Sequence, residues 1–390
     1  MFDLLTLLIA FALISLLSRR LSYGIAVVIA SAVFIALSNA QDFIQILIKA
    51  LTDEMTINLL TIVALIGILG YLMQKTGETD GFIRELKPIV KKQKVLLPTI
   101  PMLLGLLPIP GGALMSAPLI DGVAKKLNVN SSGASFINVW FRHTILLIFP
   151  LEPTLILVAK LTGVNMYSII LLQIPMFVAA VLVGYLLAIR RLPGKEENGN
   201  GSAWKLLLNL SPIAVVILLN IAGLHLVLSL AVGIALSLAI GRVKPRSVPY
   251  TLFRGLNFDL ILAIGGVMLF KWGIESSSLL GLIENFVRQS HLPPAVLLTV
   301  LSFSMTFAMG MLSAALGIAV ALFPYLVMGN AVYASLLFMS SFLGYLISPL
   351  HLCNVVTLNY FRENLKGLYT KLLPSALIML IFSFVFLALV

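Results

Sequence analysis

The sequence has few charged residues and almost no cysteine. Asp, Glu, Lys and Arg make up 11% of its 390 residues, and Cys353 is the only cysteine. One cysteine excludes a disulfide within the chain and a metal cage built from several cysteines, so Cys353 is interpreted as a small apolar residue and no metal site is predicted. The sequence also lacks zinc, nucleotide and phosphate-loop motifs and any recognisable Ser-His-Asp spacing. These absences argue against an enzyme.

Long apolar blocks dominate what is present. Hydrophobic residues make up 60% of the chain, in blocks of about 15 to 20 residues separated by short charged clusters. This pattern predicts an all-α polytopic protein of the cell membrane. The first block, residues 4–17, is predicted to be a retained span, because Arg19 and Arg20 follow it instead of preceding it. The net charge of +11 is interpreted as a topology signal and not as a nucleic-acid surface, since no soluble domain carries it.

Ten blocks are predicted to cross the membrane, and two more to enter and leave it on the same side. In residues 95–123, the segment 108–112 separates two arms of about 11 to 13 residues, each long enough for roughly half of a bilayer core. A re-entrant hairpin is therefore predicted there, and another at 293–327. The predicted crossings are residues 3–18, 23–39, 57–74, 133–162, 165–189, 206–222, 224–241, 257–274, 332–361 and 371–390.

The distribution of basic residues supports the hairpin. If residues 95–123 return to the side they entered from, 21 of the 26 Lys and Arg residues lie on one face of the membrane, which is then the cytoplasmic face. If the segment crosses once, the basic groups near residues 125, 190 and 242 move to the other face and the bias disappears. We therefore expect a hairpin, with both termini outside the cell.

The two halves of the chain resemble each other. "GLLPIPGGALMSAPL" (105–119) aligns with "GMLSAALGIAVALFP" (310–324), and "FPLEPTLIL" (149–157) aligns with "SPLHLCNVV" (348–356). The predicted units are residues 1–190 and 205–390, joined by a polar cytoplasmic linker at 191–204. Each unit has five crossings, a hairpin and an interrupted helix, at 133–162 and 332–361. Because five is odd, the second unit enters the membrane in the opposite orientation, and the repeat is predicted to be inverted.

The interrupted segments are predicted to form a solute-binding site. A backbone broken at membrane depth is tolerated only where it faces a cavity, a ligand or other protein. Two hairpin tips and two broken helices related by inverted symmetry would meet near the midplane. A functionless kink is the alternative for any one break. The residues predicted to bind the solute are Pro108, Pro110, Gly111, Gly112, Ser116, Arg142, Ser313, Ala314, Gly317, Asn354 and Thr357.

Three further residues are predicted to couple transport to an ion. Glu152, between two prolines in the first broken helix, is an acid inside an apolar stretch and is expected to be protonated, paired or part of an ion path; the alternative is an acid that caps the helix. His351 aligns with it and is either a proton partner or a hydrogen-bond donor to a freed carbonyl. Thr154 offers a neutral oxygen to sodium. Asp259 and Asn58, at the starts of their spans, are interpreted as N-caps.

The pattern of inverted five-span units resembles the ion transporter superfamily of secondary carriers, which includes gluconate permeases, citrate and dicarboxylate carriers and arsenite pumps. The segment "LLPIPGGALMSAPLID" (106–121) most resembles an uncharacterised family of ten-span membrane proteins. The resemblance implies an elevator-type carrier whose scaffold domain forms a homodimer. Its hairpin tips lack the Ser-Asn-Thr of the dicarboxylate carriers, which argues against dicarboxylate transport through the usual contacts.

The sequence therefore predicts a secondary active transporter in the lipid bilayer. Its expected substrate is a small anionic organic solute, its driving force is a proton or sodium gradient, and it needs no cofactor beyond H⁺ or Na⁺. Two alternatives remain. One is an intramembrane enzyme or lipid-handling protein in which Glu152 and His351 act as an acid-base pair. The other is a passive channel.

Overall fold

The computed structural model describes residues 2–18, 20–106, 113–196, 200–289 and 291–389, and most of this part of the chain is helical. The described residues contain no strand; Lys92 and Glu196 form an isolated antiparallel bridge. The prediction of an all-helical protein is confirmed. The helices of the first half are α1 (Phe2–Leu17), α2 (Tyr23–Ser38), α3 (Phe43–Thr52), α4 (Glu54–Lys75), α5 (Glu78–Ile89), α6 (Gln93–Leu104), α7 (Ala113–Lys126), α8 (Ser131–Thr144), α9 (Pro153–Thr162) and α10 (Met166–Gly184).

The second half repeats this order of elements. Two apolar helices are followed by a short amphipathic helix, an apolar helix and a second amphipathic helix. The two helices of the predicted hairpin segment come next, then the two helices of the interrupted segment and a last apolar helix. Among the described residues, the second half differs in having the additional single-turn helix α18. The helices are α11 (Ala203–Ile221), α12 (Leu226–Ile240), α13 (Val248–Gly255), α14 (Phe258–Glu275), α15 (Leu279–Gln289), α16 (Pro294–Met309), α17 (Leu312–Leu322), α18 (Pro324–Val327), α19 (Ala331–Ile347), α20 (Leu352–Phe361) and α21 (Leu365–Leu389).

Several of these helices are long and apolar enough to cross a membrane. By length and composition there are five among the described residues, or six if the bent pair of α13 and α14, with an angle of 48°, counts as one span. Seven further apolar helices have 10–17 residues. The protein is therefore a multi-pass membrane protein, as predicted. The five spans are Glu54–Lys75, Met166–Ile189, Ala203–Ile221, Ala331–Phe361 and Leu365–Leu387.

The breaks lie inside the segments that the sequence singled out. Residues 145–152 separate α8 from α9, residues 310–311 separate α16 from α17, and residues 348–351 separate α19 from α20. The tip of the first predicted hairpin, residues 107–112, is outside the described part of the chain. The amphipathic helices α3, α5, α13 and α15 were not predicted, because their apolar faces are too narrow to stand out as apolar blocks.

Glycines let α2 and α14 pack with their backbones in close contact. A Cβ built on Gly266 would lie 2.8 Å from Val27 Cγ1 and 2.9 Å from the backbone nitrogen of Val28. Ser31 Oγ donates a hydrogen bond to the Gly266 carbonyl oxygen over 2.8 Å, and further along, Gly273 faces Phe34. Contacts advance in the same direction along both helices, so α2 and α14 run parallel. Small residues at helix contacts are the usual means of close packing inside membranes.

The equivalent helices of the opposite halves make the reciprocal pair. Gly233 of α12 lies near Leu69 of α4, and Gly241 at the end of α12 lies against Thr76 at the end of α4. These two helices are therefore parallel as well. The second hairpin helix of each half also packs on the interrupted segment of the other half: α7 packs on α20, and α17 packs on α9. Each half thus completes the packing of the other.

Adjacent glycines of α14 provide a matched test of this packing. We expect Gly266→Ala to lower the free energy of unfolding by about 1–3 kcal/mol, because the new methyl group overlaps the backbone of α2. A Cβ at Gly265 meets only Leu60 Cδ2, at 3.8 Å. Gly265→Ala should therefore leave stability unchanged or raise it by roughly 0.5–1 kcal/mol through helix propensity. Thermal unfolding of the detergent-purified variants measures both; equal midpoints would contradict the close contact.

Candidate functional site

A cavity of about 290 Å³ lies where the broken segments of both halves meet. Four helices begin at its wall, α9 at Pro153, α14 beside Asp259, α17 at Leu312 and α20 at Leu352. The N-terminus of a helix carries a partial positive charge and unsatisfied N–H groups. The termini of α17 and α20 have no side-chain cap, and they favour a negatively charged occupant.

Four of the predicted site residues line this cavity. They are Arg142, Glu152, Thr154 and Ser313. His351 is buried directly behind the wall, with its ring centroid 3.9 Å from that of Tyr345, a lining residue. Arg142 and Glu152 come from the first half and Ser313 from the second, so residues from both halves contribute to one site. Pro108, Pro110, Gly111 and Gly112 lie outside the described residues.

The other predicted residues are buried in helix contacts and do not line the cavity. Asn354 Nδ2 donates to the carbonyl oxygens of Leu346 and Ser348 over 2.9 and 3.0 Å. It therefore satisfies the backbone freed by the α19–α20 break, which explains why a polar residue occurs there. Thr357 Oγ1 accepts a hydrogen bond from Asn138 Nδ2 at 2.9 Å.

The remaining three are packing positions in the hairpin arms. Ser116 Oγ donates to the Ala113 carbonyl oxygen within α7 at 3.3 Å. Ala314 is fully buried in α17. Gly317 permits close packing, since a Cβ there would overlap Val267 of α14 and lie 3.3 Å from Leu157 Cδ2.

Arg142 is a buried cation without a carboxylate partner. Its guanidinium donates a hydrogen bond to the carbonyl oxygen of Leu104, the last residue of α6, over 3.0 Å. No carboxylate among the described residues lies within 4.0 Å of it, whereas its surface exposure is only 7%. A guanidinium has five N–H donors, and a buried one without a counter-ion is costly. An anion in the cavity would supply the missing charge.

Glu152 serves as the N-cap of α9 and also faces the cavity. Its Oε1 accepts a hydrogen bond from the Thr154 backbone N–H at 3.4 Å, and Pro153 follows at the first helical position. The sequence left a capping and a functional role open for this acid, and the geometry allows both, because the carboxylate remains partly exposed at the cavity wall.

The two predicted N-caps are wrong. The cap of α14 is Asn257, whose Oδ1 accepts from the Leu260 N–H at 3.2 Å, and α4 begins earlier than predicted, with Asp53 as its cap. Asp259 instead accepts a hydrogen bond from the Gly24 N–H at 2.6 Å and lines the cavity. It therefore binds the N-terminus of the neighbouring helix α2, a contact that local sequence does not indicate.

The sequence also missed three cavity residues. His143, Tyr345 and Cys353 all line the wall. The alignment of the two halves gave one signal for Cys353. The alignment that places His351 on Glu152 also places Cys353 on Thr154. His143 and Tyr345 lie within apolar helices and gave no comparable signal.

The chain belongs to the family described as "Protein of unknown function (DUF401)". The family model matches residues 2–390, which is almost the whole sequence. No curated protein matches the chain. The expected membership of an uncharacterised family is therefore confirmed. These comparisons show no link to the ion transporter superfamily.

Arg142 provides the first test of the site. We expect small carboxylates to raise the thermal midpoint of the DUF401 protein, and Arg142→Gln to weaken that response at least tenfold, because the cavity loses its cation. Arg142→Lys should recover part of the response, since lysine keeps the positive charge but lacks the planar guanidinium group. Arg190→Gln, an exposed cation remote from the cavity wall, is the control. Undiminished carboxylate binding by Arg142→Gln would exclude Arg142 as the anion-binding group.

Proposed function

We propose that this protein is a secondary active transporter of a small anionic organic solute, coupled to a proton or sodium gradient. The observation that carries the proposal is the convergence of four helix N-termini and an unpaired buried arginine on one cavity. Discontinuous helices that direct their N-termini at an anionic group near the midplane are characteristic of secondary transporters.

Helix directions support an inverted repeat of five crossings per unit. In a five-span unit the second and third crossings run in opposite directions. The second crossing of one unit is therefore parallel to the third crossing of the other only if the two units are inverted. α2 and α14 form such a pair and run parallel, and so do α4 and α12. In a direct repeat both pairs would be antiparallel.

The inverted repeat supplies the physical basis for alternating access. Two units of similar sequence in opposite orientations can exchange conformations, and the exchange turns an inward-facing cavity into an outward-facing one. With ten crossings, both termini lie outside and the basic clusters lie in the cytoplasm. An elevator movement fits the crosswise packing of α7 on α20 and α17 on α9, since these helices would move together with the site.

The dimensions of the cavity limit the solute. A volume of about 290 Å³ is at the lower end of the range for small-molecule sites, which favours a small solute. The exposed surface is apolar on helices remote from the cavity, as at Leu171, Leu218 and Ile381, which is the surface expected against the bilayer. None of α1, α2, α11 and α12 contributes a lining residue to the cavity; we assign them to the scaffold, which would form the homodimer contact that the superfamily resemblance implies.

Glu152 is the proposed coupling residue. Of the two carboxylates that the described residues place at the cavity wall, Glu152 and Asp259, Glu152 lies in the break between α8 and α9, next to the buried residue Thr154. In an apolar interior an acid without a cation partner exchanges a proton or binds a sodium ion. The acid-base alternative has less support, because no hydrogen bond joins Glu152 to His351 among the described residues.

The coupling is tested in reconstituted vesicles with the carboxylate that gives the largest thermal stabilisation. Glu152→Gln mimics the protonated acid permanently. We expect it to retain solute exchange at equal concentrations on both sides but to lose accumulation driven by a pH gradient, or by a sodium gradient if sodium is the coupling ion. Glu54→Gln, which removes an exposed acid at the start of α4, is the control.

Separate ionophores collapse each gradient and identify the ion. If Glu152→Gln still concentrates the solute as the parent does, Glu152 is a structural cap only. If the parent shows neither exchange nor accumulation of any carboxylate, the transporter proposal fails.

A further inference from the structure

His143, His351 and Cys353 form a compact cluster at the inner wall of the cavity. Their ligand atoms, one from each side chain, all lie within 4.8 Å of one another. His143 is in the last turn of α8, His351 precedes α20 and Cys353 is its second residue. The cluster therefore joins the two broken helices, although its first and second members are 208 positions apart in the sequence.

Neither ring nitrogen of His351 makes a well-formed hydrogen bond to another described residue. The side chain is 1% exposed, and both Nδ1 and Nε2 are buried and unsatisfied. The nearby Leu346 carbonyl oxygen accepts its hydrogen bond from Asn354. A buried imidazole without partners is costly, and leaving two polar atoms unsatisfied requires an explanation. A metal ion would bind to one of the two nitrogens.

The imidazole ring of His143 is also oriented to bind a metal ion. Its Nδ1 lies 2.6 Å from the Val139 carbonyl oxygen, one turn earlier in α8. This contact places the proton on Nδ1, so the lone pair is on Nε2. Histidine ligands of metal ions commonly donate their second N–H to a backbone carbonyl in this way.

Cys353 is the third candidate ligand and connects the cluster to the cavity. The side chain is partly exposed and lines the cavity. Arg142 lines the same wall, so its positive charge lies on the same side of the cavity as the sulfur. An ion entering through the cavity would meet this sulfur first.

We propose that His143, His351 and Cys353 form a three-coordinate site for a thiophilic transition-metal ion, with Cu⁺ preferred to Zn²⁺. Two imidazoles and one thiolate are ligands that copper and zinc accept. Around an ion with bonds of about 2.0–2.3 Å, three ligand atoms lie roughly 3.5–4 Å apart, so small side-chain rotations close the cluster. Binding displaces the thiol proton to solvent, and the copper remains Cu⁺.

Charge decides between the two ions. Cu⁺ and the Cys353 thiolate sum to zero, which leaves Arg142 with the same surroundings as before. Zn²⁺ would add a second uncompensated positive charge beside a buried guanidinium, and an unpaired charge in an apolar interior is strongly unfavourable. Three ligands also suit soft Cu⁺, whereas structural zinc takes four.

The experiment measures Cu⁺ binding to the full-length protein in detergent, anaerobically, against a colorimetric Cu⁺ chelator. We expect one Cu⁺ per chain in the parent and in His225→Gln, which changes an exposed histidine remote from the cluster. Cys353→Ser and His351→Gln, both close in size to the original residue, should each weaken binding at least tenfold. Their size-exclusion profiles and thermal midpoints establish that they are folded.

The single thiol gives a second readout that needs no variant. One equivalent of Cu⁺ should slow alkylation of Cys353 in the parent, and one equivalent of Zn²⁺ should slow it much less. Unchanged Cu⁺ affinity in His351→Gln would show that His351 is not a ligand, and would overturn the three-coordinate site. Equal protection by Zn²⁺ would overturn the preference for Cu⁺. Neither measurement involves solute movement, so either result leaves the transport proposal to its own test.

Discussion

Broken helices in an apolar interior leave backbone groups that must find partners, and the architecture around the cavity is arranged to satisfy them. Asn354 satisfies two carbonyl oxygens at one break, and the Ser348 hydroxyl donates to the Phe307 carbonyl oxygen at 2.7 Å. Arg142 satisfies the end of α6, and Glu152 caps α9. The N-termini of α17 and α20 have no side-chain cap and face the cavity. The electrostatics of the cavity follow from the breaks themselves.

The close packing of α2 with α14, and of α4 with α12, provides the frame that holds the breaks together. Each pair joins one half of the chain to the other through glycine contacts. Asp259 links this frame to the site, because its carboxylate binds the N-terminus of α2 and also lines the cavity. A change in the relative position of the two halves would therefore reach the cavity wall directly.

Much of the fold could be predicted from the sequence, because apolar blocks and Pro-Gly interruptions are strong local signals. The helices around the breaks and the repeat of element order agree with that reading. The amphipathic helices were missed, since their periodicity is weaker than that of a span. At the site, Arg142 and Glu152 stood out as charges in apolar segments. His143 and Cys353 did not, because a cluster of residues 210 positions apart depends on how helices from the two halves pack.

The central claim is that one cavity faces each side of the membrane in turn, and the native thiol of Cys353 can report on it. The decisive measurement is the rate at which a membrane-impermeant thiol reagent modifies Cys353 in right-side-out and in inside-out vesicles. The account predicts modification from both sides, each slowed by bound solute and by a gradient that favours the opposite orientation. Modification from one side only, whatever the gradient and solute, would contradict it.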